Sequence, residues 1–123
     1  MKVGIIGYGV VGKTRFNSIL NNTSFEITSI SETSPIARLD IPKNVNVFED
    51  YQSLIEGSDV DIVFISLPNK FAANATILSL KKGLHVFCEK PPAKTLAELE
   101  AVFLVSQQHP NLKLMYGFNH RFH

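Results

Sequence analysis

The most constraining feature of the sequence is a glycine-rich turn that directly follows a short apolar run. The run KVGII ends at Gly7, and Gly7-Tyr8-Gly9-Val10-Val11-Gly12 then matches G-x-G-x-x-G at the start of a helical segment. In such a turn the first glycine bends the chain, the second admits a pyrophosphate close to the backbone, and the third lets helix and strand pack closely. The free N–H groups of the helix start would face the phosphates. The alternative is a flexible strand-to-helix turn without a ligand.

An acidic residue stands where a dinucleotide would need one. Glu32 closes the second apolar run about twenty residues beyond Gly12, where a carboxylate can bond the hydroxyls of an adenosine ribose. The next residues, Thr33 and Ser34, carry no positive charge for a 2′-phosphate, which favours NAD over NADP. Arg38 keeps NADP open, since it could turn toward such a phosphate, and Glu32 could also be a plain surface-turn residue.

The order of apolar runs predicts the fold class. Helical segments at residues 11–21, 50–56, 69–82 and from Thr95 to before Pro110 separate most of six runs: KVGIIG, FEITSISE, NVNVF, VDIVFISL, LHVFCE and KLMYGFN. Residues 33–43 read as an irregular turn or a stub of helix. Mostly continuous apolar strands alternating with helices predict a doubly wound, mainly parallel α/β sheet in three layers, a Rossmann fold with strand order 3-2-1-4-5-6.

Helical spacing and end signals support these helices. Thr95 and Glu98 have the spacing of a capping box, and Gly83 is a typical helix end after Lys81 and Lys82. Apolar residues at helical spacing should share one face of each helix: Phe16, Ile19 and Leu20; Phe71, Ala75 and Leu78; Leu99, Val102 and Phe103.

Composition excludes several classes of function. The 123 residues suffice for one domain, 1–123, with 45% apolar residues, 19% charged residues and a net charge of +1. The sequence has no basic run of the kind that binds nucleic acid. It also has no apolar stretch long enough to predict a membrane span, and its start does not predict a signal peptide. The single cysteine, Cys88, needs no oxidising compartment and reads as a small buried hydrophobe, so we expect a cytoplasmic protein. The four histidines have no metal-ligand spacing, and no metal is expected.

The remaining polar residues fall where strands four and five end, which is where ligands of such sheets bind. Strand four finishes Ser66-Leu67-Pro68-Asn69, where Pro68 would end the strand pairing. Asn69 can cap the next helix or contact the cofactor. Strand five finishes Cys88-Glu89-Lys90, and Pro91 and Pro92 would fix the turn that aims this charged pair into the crevice. A solvated lysine at a strand end is the alternative for Lys90.

Together these segments resemble a known family. GIIGYGVVG, SLPNKFAANATILSLKKGLHVFCEKPPA and LMYGFNHRF look like the N-terminal half of the Gfo/Idh/MocA family of nicotinamide-dependent oxidoreductases, with CEKPPA the most specific mark. The resemblance covers essentially the whole chain. It implies an NAD(P)-dependent enzyme that moves a hydride between the cofactor and a sugar, cyclitol or related polyhydroxy compound.

The resemblance also implies roles for individual residues. Gly7, Gly9 and Gly12, with the rest of their turn (Tyr8, Val10 and Val11), would bind the dinucleotide phosphates. Glu32 would bind the adenosine ribose, and Leu67, Pro68 and Asn69 would contact the cofactor as it crosses strand four. Glu89 would contact its nicotinamide side, and Lys90 would hold the substrate oxygen as the catalytic residue. Asn119 and Arg121 match the family's Gly-Phe-Asn-x-Arg-Phe segment, and Asn119 would also bind the cofactor.

Two departures from the family pattern limit what the resemblance implies. Family members often have histidines just after the Pro-Asn of strand four, where this chain has Lys70, Phe71 and Ala72. The family also has a second domain that supplies the proton-transfer partner and most substrate contacts, and we expect that domain to be absent from this chain. A catalytically silent dinucleotide sensor is therefore an alternative function. Without that domain an apolar surface would stay uncovered, so the chain could also form a homo-oligomer.

Overall fold

A computed structural model describes residues 1–117 of the chain. Within that range, six strands and five helices alternate. The strands are β1 (Lys2–Ile6), β2 (Glu26–Ser31), β3 (Asn46–Phe48), β4 (Ile62–Ile65), β5 (His85–Cys88) and β6 (Leu114–Tyr116). The helices are α1 (Val10–Leu20), α2 (Pro35–Arg38), α3 (Tyr51–Gly57), α4 (Asn69–Lys82) and α5 (Leu96–Gln108). The short α2 is the stub of helix expected between residues 33 and 43.

The strands form one parallel sheet in the order β3-β2-β1-β4-β5-β6, as the sequence predicted. The chain starts in the middle of the sheet, winds outward to β3, and then returns past β1 to build β4, β5 and β6 in the opposite direction. Right-handed crossovers put the helices of these two halves on opposite faces of the sheet. The strand order therefore reverses between β1 and β4, whose carboxyl ends meet at one edge.

Two apolar clusters fill the two faces of the sheet. On one face, Phe16 and Ile19 of α1 pack on Ile5 and Ile30. On the other face, residues of α3 and α4 such as Leu54 and Leu80 pack on Ile6, Val63 and Val86. Full burial of one such aliphatic side chain stabilises the fold by about 1.5–3 kcal/mol, and this core holds the strand ends in fixed positions.

Three apolar residues that the sequence assigned to packed helix faces are exposed instead. Leu20, Phe71 and Phe103 face solvent, and Phe103 is 65% exposed. The reason is clearest in α4, which lies between α3 and α5 on the sheet. Its buried face consists mostly of small side chains, which let the helix approach its neighbours closely: Ala72, Ala73, Ala75, Thr76 and Ser79.

Side chains cap the starts of α3 and α5. Asp50 accepts a hydrogen bond from the Ser53 N–H at the start of α3, and Thr95 accepts one from the Glu98 N–H at the start of α5. Gly83 ends α4 in the left-handed conformation, with φ +92°. Within residues 1–117, no helix combines the length and apolar character that crossing a membrane requires.

Candidate functional site

The carboxyl ends of the central strands surround a cavity of about 290 Å³. Five of its lining residues were predicted as site residues from the sequence: Gly7, Gly9, Glu32, Leu67 and Pro68. Five others were not: Ser31, Thr33, Asp50, Tyr51 and Ser66. The cavity lies where the strand order reverses, which is the usual ligand position in open α/β sheets.

The need for glycine differs among the three glycine positions of the turn. Gly7 has φ +92°, and a Cβ on it would lie 2.3 Å from the carbonyl oxygen of Ser66. A Cβ on Gly12 would lie only 1.9 Å from the carbonyl oxygen of Gly7, so Gly12 is required for the close contact of α1 with the turn. A Cβ on Gly9 would meet no atom within 4 Å. The fold itself therefore needs glycine at 7 and 12, but not at 9.

The start of α1 leaves its first N–H groups without a side-chain partner. Gly9 is the N-cap residue, so no side chain accepts from the first turn, and that turn contains no acidic residue. Val10 is 84% exposed and Val11 is also exposed. Uncapped N–H groups and the helix dipole favour an anion at this position.

Glu32 is fixed by two backbone donors. Its Oε1 accepts from the N–H of Tyr8 at 2.6 Å, and its Oε2 accepts from the N–H of Ser34 at 2.9 Å. The carboxylate thus joins the exit of β2 to the glycine-rich turn. Because each carboxylate oxygen can accept more than one hydrogen bond, both retain capacity for a ligand hydroxyl.

Two cations near this carboxylate have other partners. Arg38 donates from Nη1 to the carbonyl oxygens of Glu32 and Thr33, at 2.8 and 3.3 Å. Lys13 forms an ion pair with Asp40 at 2.6 Å. Neither guanidinium nor ammonium is directed at the Glu32 carboxylate, so neither neutralises its negative charge by a direct ion pair.

Ser66 contributes a polar atom that the sequence analysis did not single out. It follows β4, and its hydroxyl is the buried side-chain oxygen or nitrogen without a hydrogen-bond partner in the described part of the chain. A buried hydroxyl without a partner costs about 1–3 kcal/mol. Its position on the cavity wall makes a bound ligand a natural partner.

Asp50 and Tyr51 line the cavity from the start of α3, which follows β3 in the chain. Asp50 caps α3 through Oδ1, and the bond from the Ser53 N–H lowers the pKa of this carboxyl below its ordinary value. The Tyr51 hydroxyl accepts from Nδ2 of Asn74 at 2.7 Å, which fixes its ring. Neither residue belongs to the glycine-rich pattern, and only its place after the third apolar run could have identified it.

At the end of β5, Glu89 forms an ion pair with Arg15 of α1. Nε and Nη2 of Arg15 both donate to Oε2 of Glu89, at 2.9 and 2.5 Å. The two side chains are 30% and 17% exposed, and the Arg15 guanidinium also lies 4.8 Å from the ring centre of Phe87. Oε1 of Glu89 lies against Gly117, where a Cβ would come within 2.7 Å. Sequence reasoning missed Arg15, because 74 residues separate it from Glu89.

The other predicted residues within 1–117 do not line the cavity. Tyr8 is buried and contributes its backbone N–H, while Lys90 is exposed directly after Glu89. Asn69 is exposed and does not cap α4: Pro68 is the N-cap residue and no side chain caps this helix, so the capping expectation was wrong. Asn119 and Arg121 lie outside the described residues.

Cys88 is buried, and burial raises the pKa of its thiol to about 11. At neutral pH it is therefore a protonated, inaccessible thiol, which agrees with its expected role as a small core residue.

These features together fit a dinucleotide. The open space over Gly9 and the uncapped N–H groups of α1 fit a pyrophosphate, and the fixed Glu32 carboxylate fits a ribose with its hydroxyl donors. The buried Ser66 hydroxyl offers one more hydrogen bond to a ligand inside the cavity.

Comparison with known proteins agrees with this geometry. A family model described as "Oxidoreductase family, NAD-binding Rossmann fold" matches residues 1–118. Inositol 2-dehydrogenase of Salmonella typhimurium is 28% identical over 127 residues, which cover 99% of this chain and 38% of the relative. D-glucoside 3-dehydrogenase of Escherichia coli is 29% identical over 126 residues, covering 99% of this chain and 36% of the relative.

A solved structure is similar over the same part of the chain. Scyllo-inositol dehydrogenase from Lactobacillus casei, crystallised with bound NAD(H) and scyllo-inositol, matches 95% of this chain with a TM-score of 0.86 and 31% identity. The match covers 36% of that chain, so this chain spans less than two fifths of the length of these relatives. From the glycine-rich turn, the strand order and the family match, we conclude that the chain belongs to the Gfo/Idh/MocA oxidoreductase family and carries its NAD-binding Rossmann fold.

Proposed function

We propose that this chain is the NAD(H)-binding domain of a dehydrogenase that acts on a sugar, a cyclitol or a related polyhydroxy compound. The observation that carries the proposal is the open space over Gly9 at the uncapped start of α1, because no contact within the chain accounts for glycine there. The relatives named as inositol and glucoside dehydrogenases support the substrate class.

In this proposal the turn from Gly7 to Gly12 binds the pyrophosphate. The N–H groups at the start of α1 donate to phosphate oxygens, and the helix dipole adds attraction to their negative charge. Gly7 and Gly12 shape the turn, while Gly9 leaves room for the phosphates. Val10 and Val11 would lose part of their exposure to the bound ligand.

Glu32 would accept hydrogen bonds from the adenosine ribose hydroxyls. Its two backbone bonds hold the carboxylate in place before the ligand arrives, so little side-chain entropy is lost on binding. Leu67 and Pro68 would line the path of the dinucleotide across β4, with Asn69 at its exposed side and Asn119 as a further predicted contact.

Lys90 would hold the reacting substrate oxygen. Bound nicotinamide supplies hydride transfer, and an ammonium group at the carbinol oxygen stabilises the negative charge that develops there. Oε2 of Glu89 accepts both N–H groups of Arg15, which leaves Oε1 for the predicted contact with the nicotinamide side. Proton transfer and most substrate contacts would come from a further domain.

The test is calorimetric titration of the 123-residue chain with NADH and, separately, NADPH. We expect saturable binding that favours NADH. Glu32→Gln should weaken NADH binding by roughly ten- to a hundredfold, since hydrogen bonds to a charged group contribute about 1.5–3 kcal/mol.

Glu26→Gln is the matched control. Glu26 is exposed at the opposite end of β2, so its substitution makes the same change of charge far from the cavity. NADH affinity should stay within about twofold of the parent value. Absence of NADH binding, or equal losses in the two variants, would contradict the proposed function.

A further inference from the structure

Besides Glu32, the cavity wall carries a second carboxylate, that of Asp50. Ser31 and Phe48 are register partners on the parallel strands β2 and β3, and the N–H of Glu32 donates to the carbonyl of Phe48 at 3.0 Å. Glu32 and Asp50 therefore leave neighbouring strands at nearly the same level. Both line the cavity of about 290 Å³.

Asp50 is fixed in position and charged near neutral pH. Its Oδ1 accepts from the Ser53 N–H at 2.8 Å, a bond that lowers the pKa of the carboxyl. Glu32 is likewise held by the N–H groups of Tyr8 and Ser34. Neither carboxylate can turn away from a ligand without breaking a backbone hydrogen bond.

In the described residues, neither nearby cation forms an ion pair with Glu32 or Asp50. The Arg38 guanidinium donates to the backbone carbonyls of Glu32 and Thr33, and the Lys13 ammonium is paired with Asp40. A phosphate at this end of the cavity would therefore meet two fixed negative charges, while these two cations are held by other partners. A ribose hydroxyl, which is neutral and can donate, would not be repelled.

We propose that Asp50 is a second determinant of cofactor choice, which acts with Glu32 against a phosphate on the adenosine ribose and so selects NAD over NADP. This inference rests on the proposed dinucleotide-binding function. The two carboxylates have separate roles in it. Glu32 both accepts from the ribose and repels the phosphate, whereas Asp50 contributes repulsion alone.

Asp50→Asn separates charge from helix capping. Asparagine caps a helix about as well as aspartate, so the variant keeps the start of α3 while removing one negative charge from the cavity wall. We expect NADPH affinity to rise about three- to tenfold, with NADH affinity within about twofold of the parent value. The gain should shrink as salt is raised, because salt screens partly exposed charges.

Glu49→Gln is the matched control. Glu49 is adjacent in sequence and exposed, and it is not part of the cavity lining, so its substitution changes the net charge by the same amount elsewhere. Its effect on the ratio of the NADPH and NADH dissociation constants should be less than half that of Asp50→Asn. Asp50→Ser, which also caps, provides a second test should the asparagine variant unfold.

The measurement is calorimetric titration of each variant with NADH and displacement of NADH by NADPH, at low and high salt. An unchanged ratio of the two constants in Asp50→Asn, with NADH still bound, would overturn the role of Asp50 and leave dinucleotide binding intact. Equal changes of that ratio in Glu49→Gln would also overturn it. Failure of the parent chain to bind NADH would instead remove the proposed function and this inference together.

Discussion

Substitution of two glycines in the same turn should separate the needs of the fold from those of a ligand. In Gly12→Ala the new Cβ would lie 1.9 Å from the Gly7 carbonyl oxygen, whereas real Cβ contacts essentially never fall below 3.0 Å. The backbone of α1 or of the turn must move by about 1 Å, and overpacking of this kind costs about 1–3 kcal/mol or more. The better helix propensity of alanine returns at most about 1 kcal/mol.

Gly12→Ala should therefore lower the free energy of unfolding by about 2 kcal/mol or more, a large part of the about 5–15 kcal/mol typical of a domain. Gly9→Ala should change it by less than about 1 kcal/mol, since Gly9 has φ −80° and ψ −156°, which alanine can adopt, and has open space around it. The Cβ added at position 9 would nevertheless occupy the space proposed for the pyrophosphate, so NADH affinity should fall at least about tenfold.

Urea unfolding followed by fluorescence or circular dichroism measures the first effect, and calorimetric titration measures the second. Equal destabilisation by the two substitutions would refute the steric reasoning. Undiminished NADH binding by Gly9→Ala would refute the assignment of that space to the pyrophosphate.

Three further predictions concern stability and reactivity. Arg15→Met and Glu89→Gln should each destabilise the chain. A double-mutant cycle measured by urea unfolding should give a coupling energy of about 1–2 kcal/mol, between the values typical of exposed and of buried ion pairs. A coupling energy near zero would show that the ion pair does not stabilise the fold. Thr95→Ala should cost about 1 kcal/mol through loss of the α5 cap, while Thr95→Ser should retain most of it; equal losses would point to packing. Because burial raises the Cys88 pKa from 9.0 to about 11, alkylation by iodoacetamide at pH 8 should be at least about a hundredfold slower in the native than in the urea-unfolded chain. The same shift stabilises the fold below pH 9 and is lost as the pH rises through 11, so stability should fall over that range more in the parent than in Cys88→Ala.

The sequence predicted the sheet and its order because that information is local. Apolar runs of strand length, the glycine-rich turn and helix-end signals such as Gly83 each depend on a few adjacent residues. The right-handed crossover rule then leaves few ways to order six parallel strands. The candidate residues on the turn and at Glu32 followed from the same local pattern.

The unpredicted parts of the site depend on contacts between distant segments. Arg15 meets Glu89 only because α1 and the end of β5 lie together in the folded chain. Ser66 became notable only when its hydroxyl proved to be buried without a partner. The wrong assignment of Phe71 and Phe103 has a related cause, since periodicity indicates an apolar face but not which part of it contacts neighbouring helices.

The two backbone bonds of Glu32 affect how any substitution at this position must be interpreted. The carboxylate accepts from the N–H of Tyr8 in the first crossover and from the N–H of Ser34 in the second, so it links two loops. Tyr8 and Glu32 are 24 residues apart in the sequence. Removing it would release both loops as well as the proposed ribose partner. An affinity lost in Glu32→Ala therefore contains a contribution from ordering those loops, and that contribution should appear as a more unfavourable binding entropy rather than as a lost enthalpy alone.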